Sequence, residues 1–435
     1  MTRQQKDGLT LLGLGMAVFL LLGFALEATA SNALIDFKVL FYSTRCLLNH
    51  GDPYNADAVA RVYRAAESNP TTDEVQLEVI THPIYLPTAL LISTPLVLLG
   101  WGPAHLLWLA FIAAALSMAA FLAWKSAAEF APAASGILLG ILLVNCSLLL
   151  LLANAAGVAV ALCVAAVCWF AQGRHPWLGV ACLTASLMLK PHDAGLVWLA
   201  LLLAGGVYRR RALQTLAVTV ALSAAAVAWV WAVAPQWLAE LRMNLSGTTA
   251  FGKLNDPAEA TLATHNPNMV IDLQAALAVV WRDARIYNAI ALTVCGVLLI
   301  VWAVAAIRVS RRPNGLWLSL AAAVPLTLLS TYHRPHDAPL LMLAVPGCAL
   351  LVSQRKWLGR VAFVVFGLTF LMTGTIPLAL VVDAASSAGI SAATFIGKLV
   401  TVLTTRPASV ALLAMSLVAV YALVEDARVE RPHAL

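Results

Sequence analysis

The chain has 435 residues, 61% of them hydrophobic and only 11% charged, with a mean hydropathy of +0.86. Water-soluble domains carry about 25% charged residues, so the composition excludes a soluble enzyme and points to a bilayer. The net charge of +6 would suit nucleic acid, but the basic residues sit in short connectors (Arg174; Arg209, Arg210 and Arg211; Arg308, Arg311 and Arg312; Arg355, Lys356 and Arg360; the tail Arg428 and Arg431). That is the pattern of cytoplasmic loops, and it excludes a nucleic-acid partner as well.

Apolar runs of membrane length recur from end to end and predict an all-α, polytopic integral membrane protein, a single membrane-embedded domain over residues 1–435. The runs are 8–27, 84–99, 104–124, 133–152, 156–171, 177–190, 194–208, 212–234, 288–307, 315–331, 337–353, 358–379 and 407–424. The first is too long for a signal-peptide core and lacks a small-x-small cleavage site, so it is read as a span. Thirteen runs conflict with the charges: Arg3 and Lys6 put the N-terminus in the cytoplasm, the Arg428 tail puts the C-terminus there, and two cytoplasmic ends require an even number of crossings. From Arg174 onward the alternation closes. The expectation is therefore about twelve transmembrane helices, with one run between 84 and 171 re-entrant or two of them fused. This topology sends connectors 28–83, 190–194, 235–287, 331–337 and 380–406 to the outer face, where most of the unusual polar residues lie. The seven cysteines fall mostly inside apolar runs without a Cys-x-x-Cys pair, and read as small core residues.

The first outer loop, 28–83, is about 55 residues long, well above the usual connector, and partly helical in pattern. Near its start stands Asp36, an acid at the mouth of a membrane protein, costly to keep without a task. On a helical wheel Lys38, Tyr42, Arg45 and Asn49 share a polar stripe, while Phe37, Leu40, Phe41, Thr44, Leu47 and Leu48 form the opposite arc. This predicts an amphipathic helix that lies on the membrane or packs on the bundle. Asp36 falls at the edge of the apolar arc. It faces protein or a cavity, or it caps the helix, a task open also to Ser31 and Asn32. The loop ends at Thr81-His82-Pro83-Ile84-Tyr85-Leu86-Pro87, where His82 is either a phosphate contact or an interfacial histidine.

Two further clusters interrupt the apolar runs. Lys190-Pro191-His192-Asp193 joins two short runs and so dips below the outer surface; Lys190 is a point charge suited to phosphate, His192 and Asp193 can orient each other, and the alternative is a snorkelling lysine with a helix-starting aspartate. Ser330-Thr331-Tyr332-His333-Arg334-Pro335-His336-Asp337 gathers two histidines, an arginine and an acid. Arg334 offers a bidentate fork for phosphate oxygens, and His333 or His336 can donate to a leaving phosphate or a sugar hydroxyl. A metal site is a further reading, although the spacing matches no usual zinc pattern, and a purely structural polar turn is the other alternative. The second long loop, 235–287, carries Trp237, Asn244, Lys253, Asn255, Asp256 and the turn His265-Asn266-Pro267-Asn268, and reads as a lid. No Walker-type glycine loop and no Gly-x-Ser-x-Gly elbow is present.

Taken in order, Asp36-Phe37, Gly51-Asp52-Pro53-Tyr54, His82-Pro83-Ile84-Tyr85-Leu86-Pro87, Asn154-Ala155-Ala156-Gly157, Lys190-Pro191 and Tyr332-His333-Arg334-Pro335-His336-Asp337 resemble the multi-span glycosyltransferases of the GT-C class. The nearest likeness is to the bacterial polyprenol-phosphate-mannose-dependent alpha-mannosyltransferases (glycosyltransferase family eighty-seven). The chain departs from that family in having Ala153-Asn154 where Gly-Gln is common, and separated Pro83 and Pro87 where two adjacent prolines are common. By position Asp36 matches the acidic catalytic residue of the class. The resemblance implies an inverting transfer of a hexose, mannose first, from a polyprenyl-phosphate donor to a lipid or glycan acceptor. It implies an active site on the extracytoplasmic side of a bacterial inner membrane, without a cofactor or metal. Asp36 is then the general base, and Lys190, His192, Asp193, His333, Arg334, His336 and Asp337, with Tyr54, His82 and Arg45 from the first loop, contact substrate. The rival readings are a secondary transporter, which should show repeated halves with matching broken helices, and a lipid-binding membrane protein.

Overall fold

The computed structural model describes residues 3–67, 70–250, 253, 255–258, 270–375 and 394–428. Among them every regular element is helical. Six helical segments are long and apolar enough to cross a membrane: Thr10–Thr29, Trp101–Ala128, Gly206–Val233, Ala284–Val309, Pro335–Gln354 and Pro407–Arg428. Shorter apolar helices fill the remaining runs: Pro87–Val97, Pro132–Val144, Ala155–Ala171, Pro176–Leu189, Pro191–Leu203 and Gly315–Ser330, with Lys356–Met372 following Val345–Gln354. Large apolar side chains stand exposed along Thr10–Thr29 (Leu11, Leu14, Val18, Leu21), along Gly206–Val233 (Leu213, Val220, Trp231) and along Ala284–Val309 (Leu292, Val297, Ile300). Faces this apolar are tolerated in hydrocarbon and would aggregate in water. The protein is a helical membrane protein.

The chain starts and stops these helices with local chemistry. Prolines occupy the first turn at Pro87, Pro132, Pro176, Pro191 and Pro335, where the missing amide costs nothing and the fixed φ already suits a helix. Asn55, Asp73, Asn154, Asp272 and Asp283 cap others by accepting bonds from first-turn amides.

Two expected spans take a different form. The run 133–152 is two pieces, Pro132–Val144 and Ser147–Leu152, parted at Asn145, whose Nδ2 donates to the Phe370 carbonyl at 2.8 Å. A polar side chain bonded to a neighbouring helix marks a break that hydropathy averages away. It falls inside the 84–171 stretch where the crossings failed to pair. The run 337–353 begins as a ten-residue 3-10 helix, Pro335–Ala344, before turning α-helical over Val345–Gln354. Pro339 and Pro346 lack the amides that an uninterrupted α-helix needs. At about 2.0 Å per residue the 3-10 stretch covers about 20 Å, against about 15 Å for the same residues as an α-helix.

The helix Ile35–Leu48 packs on the bundle and is buried on nearly all sides. Phe37 stacks on Trp108 at 5.1 Å between ring centroids, Phe41 meets Trp101 edge-on at 5.2 Å, and Tyr42 meets Tyr63 edge-on at 5.0 Å. Such pairs are worth about 0.5–1.5 kcal/mol each beyond their buried area. Tyr42, expected on the polar stripe, is fully buried; its hydroxyl finds Glu67 Oε1 at 2.6 Å, so the ring enters the core and only the oxygen needs a partner. Tyr42→Phe is expected to cost about 1 kcal/mol, read as a fall in thermal midpoint in detergent, because one bond is lost while the ring packing stays.

Candidate functional site

Asp36 lies in the first turn of its helix but does not cap it. The cap position belongs to Leu34, whose left-handed backbone (φ 59°) turns the chain and whose amide donates to the Leu151 carbonyl at 2.7 Å. The Asp36 carboxylate instead accepts a 2.6 Å bond from Asn154 Nδ2. Asn154 cannot present its other atom there: its Oδ1 accepts from the Ala156 amide at 2.8 Å, capping Ala155–Ala171, so the NH2 must face the acid. Burial raises the Asp36 pKa above its ordinary 3.8, against the Asn154 bond and the charges of Arg334 and Lys190, which pull it down. Asp36 keeps partial exposure. Tyr85, bonded by the Ala155 backbone, adjoins the same group of charges and senses both Asp36 and Asp337.

An ionic lattice is drawn from two helix starts. Lys190 pairs closely with Asp337 Oδ1 and lies 3.9 Å from Asp193 Oδ2. Asp337 Oδ2 accepts from the Arg334 amide at 2.9 Å, capping the 3-10 helix and fixing the carboxylate toward the lysine. His333 Nε2 is 3.2 Å, and His192 Nε2 3.6 Å, from Asp193 Oδ1; His336 Nε2 is 3.6 Å from Asp337 Oδ1. Asp193, His333 and Asp337 are fully buried or nearly so, and Arg334 and His336 are buried too. Burial by itself disfavours a charged His333 imidazole, but the facing Asp193 carboxylate outweighs it and the pKa is raised. Charges at such depth persist only when paired, and here Asp193 and Asp337 each face a lysine and a histidine.

Described residues of the second long loop bond to this lattice. Asn255 Oδ1 accepts from the Tyr332 hydroxyl (2.8 Å) and from Arg334 Nη2, and the Ile271 amide donates to the His333 carbonyl at 3.0 Å. Asn244, on the helix Trp237–Thr249, donates to the carbonyls of Tyr54 and Pro83, both at 3.1 Å, and Lys253 pairs with Glu78 at 2.8 Å. The two long loops are thus stitched together. The turn 265–268 lies outside the described residues.

Three first-loop candidates are placed by other features of the fold. Tyr54 is buried, its hydroxyl donating to the Tyr85 carbonyl at 2.8 Å, so it sets the course of the backbone at Tyr85. His82 caps the helix Glu74–Thr81, its Nδ1 bonded to the Glu78 carbonyl at 2.9 Å. Arg45 is nine positions beyond Asp36 on one helix, a rise of about 13.5 Å, so it occupies the far end. The structure adds Asn154, Tyr85, Tyr332 and Asn255 to the sequence candidates. Asn154 had a visible signal, a lone polar residue before Ala155-Ala156-Gly157 in an otherwise apolar stretch; Asn255 had none beyond its loop.

Asn154→Ala is expected to shift the acid limb of any reaction that needs ionised Asp36 to higher pH, because it removes a bond that lowers that pKa. It should also cost about 0.5–2 kcal/mol through the lost cap. A pH-rate profile with a thermal melt measures both.

Chemically, the arrangement offers one partly open carboxylate, two strong cations and a set of histidines. The only group of three metal-ligating side chains found among the described residues is His192, Asp193 and His333. No protein-family model, curated protein or solved structure matches this chain.

Proposed function

We propose that the protein is a membrane glycosyltransferase that moves a hexose, mannose in the first instance, from a polyprenyl-phosphate carrier to a lipid or glycan acceptor on the extracytoplasmic face of a bacterial inner membrane. The observation that carries this reading is that Asp36, far from them in the chain, lies where the charges of Lys190 and Arg334 act on its carboxylate. The ordered motifs resembling the polyprenol-phosphate-mannose transferases support it from the sequence side.

The chemistry follows from what each group can do. An acceptor hydroxyl has a pKa far above neutrality, so its attack on the anomeric carbon gains from a carboxylate placed to take the proton. Asp36 is that carboxylate. As the new C–O bond forms, the bond to the phosphate breaks and the leaving polyprenyl phosphate keeps the electron pair. Its growing negative charge is met by the Lys190 ammonium and the Arg334 guanidinium, fixed in advance by Asp337 and Asn255. One displacement inverts the anomeric centre, so a beta-linked donor gives an alpha-linked product. Exposed apolar helix faces give the carrier lipid an environment matching its own.

The test is transfer of labelled sugar from polyprenyl-phosphate mannose into a membrane-lipid extract by the purified, reconstituted protein. Asp36-dependent incorporation is the expected result. No incorporation with any polyprenyl-phosphate hexose and a complete lipid extract would overturn the proposal.

A further inference from the structure

Asp193 and His333 are buried more deeply than a role in steering a surface phosphate needs, and their geometry poses a problem that a proton or a metal must solve. His333 Nδ1 lies 2.9 Å from the Thr331 carbonyl, so it carries a hydrogen and donates it there. In a neutral ring Nε2 is then a bare lone pair. That lone pair sits 3.2 Å from Asp193 Oδ1, itself an acceptor, and both side chains have zero exposure. Neither His333 Nε2 nor either Asp193 oxygen has a hydrogen-bond partner. With the ring neutral, two buried acceptors face each other, and either a proton on Nε2 or a cation belongs between them.

His192 completes the picture from the same helix start. Its Nε2 is 3.6 Å from the same Asp193 oxygen, and the ligand atoms of all three residues lie within 4.8 Å of one another. Nitrogen and oxygen ligands bonded at about 2.1 Å in a tetrahedron stand about 3.4 Å apart, between the two separations seen here. A histidine whose Nδ1–H is tied to a backbone carbonyl is the arrangement that orients metal-binding imidazoles. The third ligand is 38% exposed, which leaves an entry path. Lys190, 3.9 Å from Asp193 Oδ2, opposes an added cation, but Asp337 holds the lysine and supplies a compensating charge.

We propose that His192 Nε2, Asp193 and His333 Nε2 form a three-ligand site for a divalent first-row transition metal of the zinc class. Two nitrogens and one carboxylate oxygen suit that class, and three protein ligands leave one position for an anionic oxygen, a water or a phosphate. The site is independent of the sugar-transfer reading, because occupancy is measured without turnover.

The experiment uses full-length protein purified without a histidine tag, stripped with chelator, then titrated with zinc and, for its visible absorption bands, with cobalt. The expected result is one ion per chain with tetrahedral cobalt bands. His192→Ala should weaken affinity at least tenfold, with its metal-free thermal midpoint unchanged because this side chain is the exposed one. Asp36→Asn should bind the ion normally, so loss of transfer and loss of metal remain separate outcomes. Absence of a stoichiometric ion in the wild type would overturn the proposal and leave a protonated His333 facing Asp193; an ion held equally well by His192→Ala would overturn it too.

Discussion

Asp36→Asn is expected to lower sugar transfer by about 10²–10⁴-fold, the usual contribution of a positioned general base. The amide has the carboxylate's shape and can still accept the Asn154 bond, so the fold has no reason to weaken and the thermal midpoint should stay put. Asp36→Glu keeps the charge but displaces it by a methylene, and should retain intermediate activity, since small misplacements of a reacting group already cost orders of magnitude. Wild-type rate should fall as pH drops through the Asp36 pKa, which burial holds above the ordinary 3.8. That limb should vanish from the residual rate of Asp36→Asn. Equal transfer by wild type and Asp36→Asn would remove the base from the mechanism.

The second large effect concerns Lys190 and Asp337. Lys190→Ala or Asp337→Ala leaves the other charge buried without its partner, and each should cost about 3–5 kcal/mol of stability. Asp337→Ala should be the worse of the two, since it also releases the Arg334 amide that the carboxylate caps. Replacing both with apolar residues of similar size, Lys190→Met with Asp337→Leu, should recover most of the loss, because an ion pair and a packed apolar pair differ little once both charges are gone. Transfer should not recover with it, since the cation facing the leaving phosphate is absent. Denaturation in detergent and the labelled-sugar assay together read this out. A double variant that restores both stability and transfer would reduce the pair to architecture.

Much of the fold was legible because a bilayer reads composition directly. The long apolar stretches coincide with helices such as Trp101–Ala128 and Ala284–Val309, and several basic residues sit at helix ends, Arg209–Arg211 near the start of Gly206–Val233 and Arg308 in the last turn of Ala284–Val309. Places where hydropathy misled are those where a single group decides: Asn145 splitting one run by bonding Phe370, and Pro339 and Pro346 recasting the start of another as a 3-10 helix. The wheel assigned Tyr42 to a wet face because it sorts residues by type, whereas a tyrosine buries its ring wherever Glu67 can reach the hydroxyl. Arg45 fell on the same stripe as Lys38, but a wheel discards distance along the axis, and that distance separates Arg45 from Asp36.

By itself the sequence determined that this chain is helical and membrane-embedded, and that its unusual ionisable residues gather at Asp36, Lys190–Asp193 and His333–Asp337, since hydrocarbon tolerates so few of them that each stands out. Only the tertiary structure decided that these stretches meet, that Asn154 rather than a helix amide holds Asp36, and that His192 and Asp193 face His333 across 140 residues of chain. Pairing between remote helices depends on how the bundle packs, and no local pattern of residues encodes that.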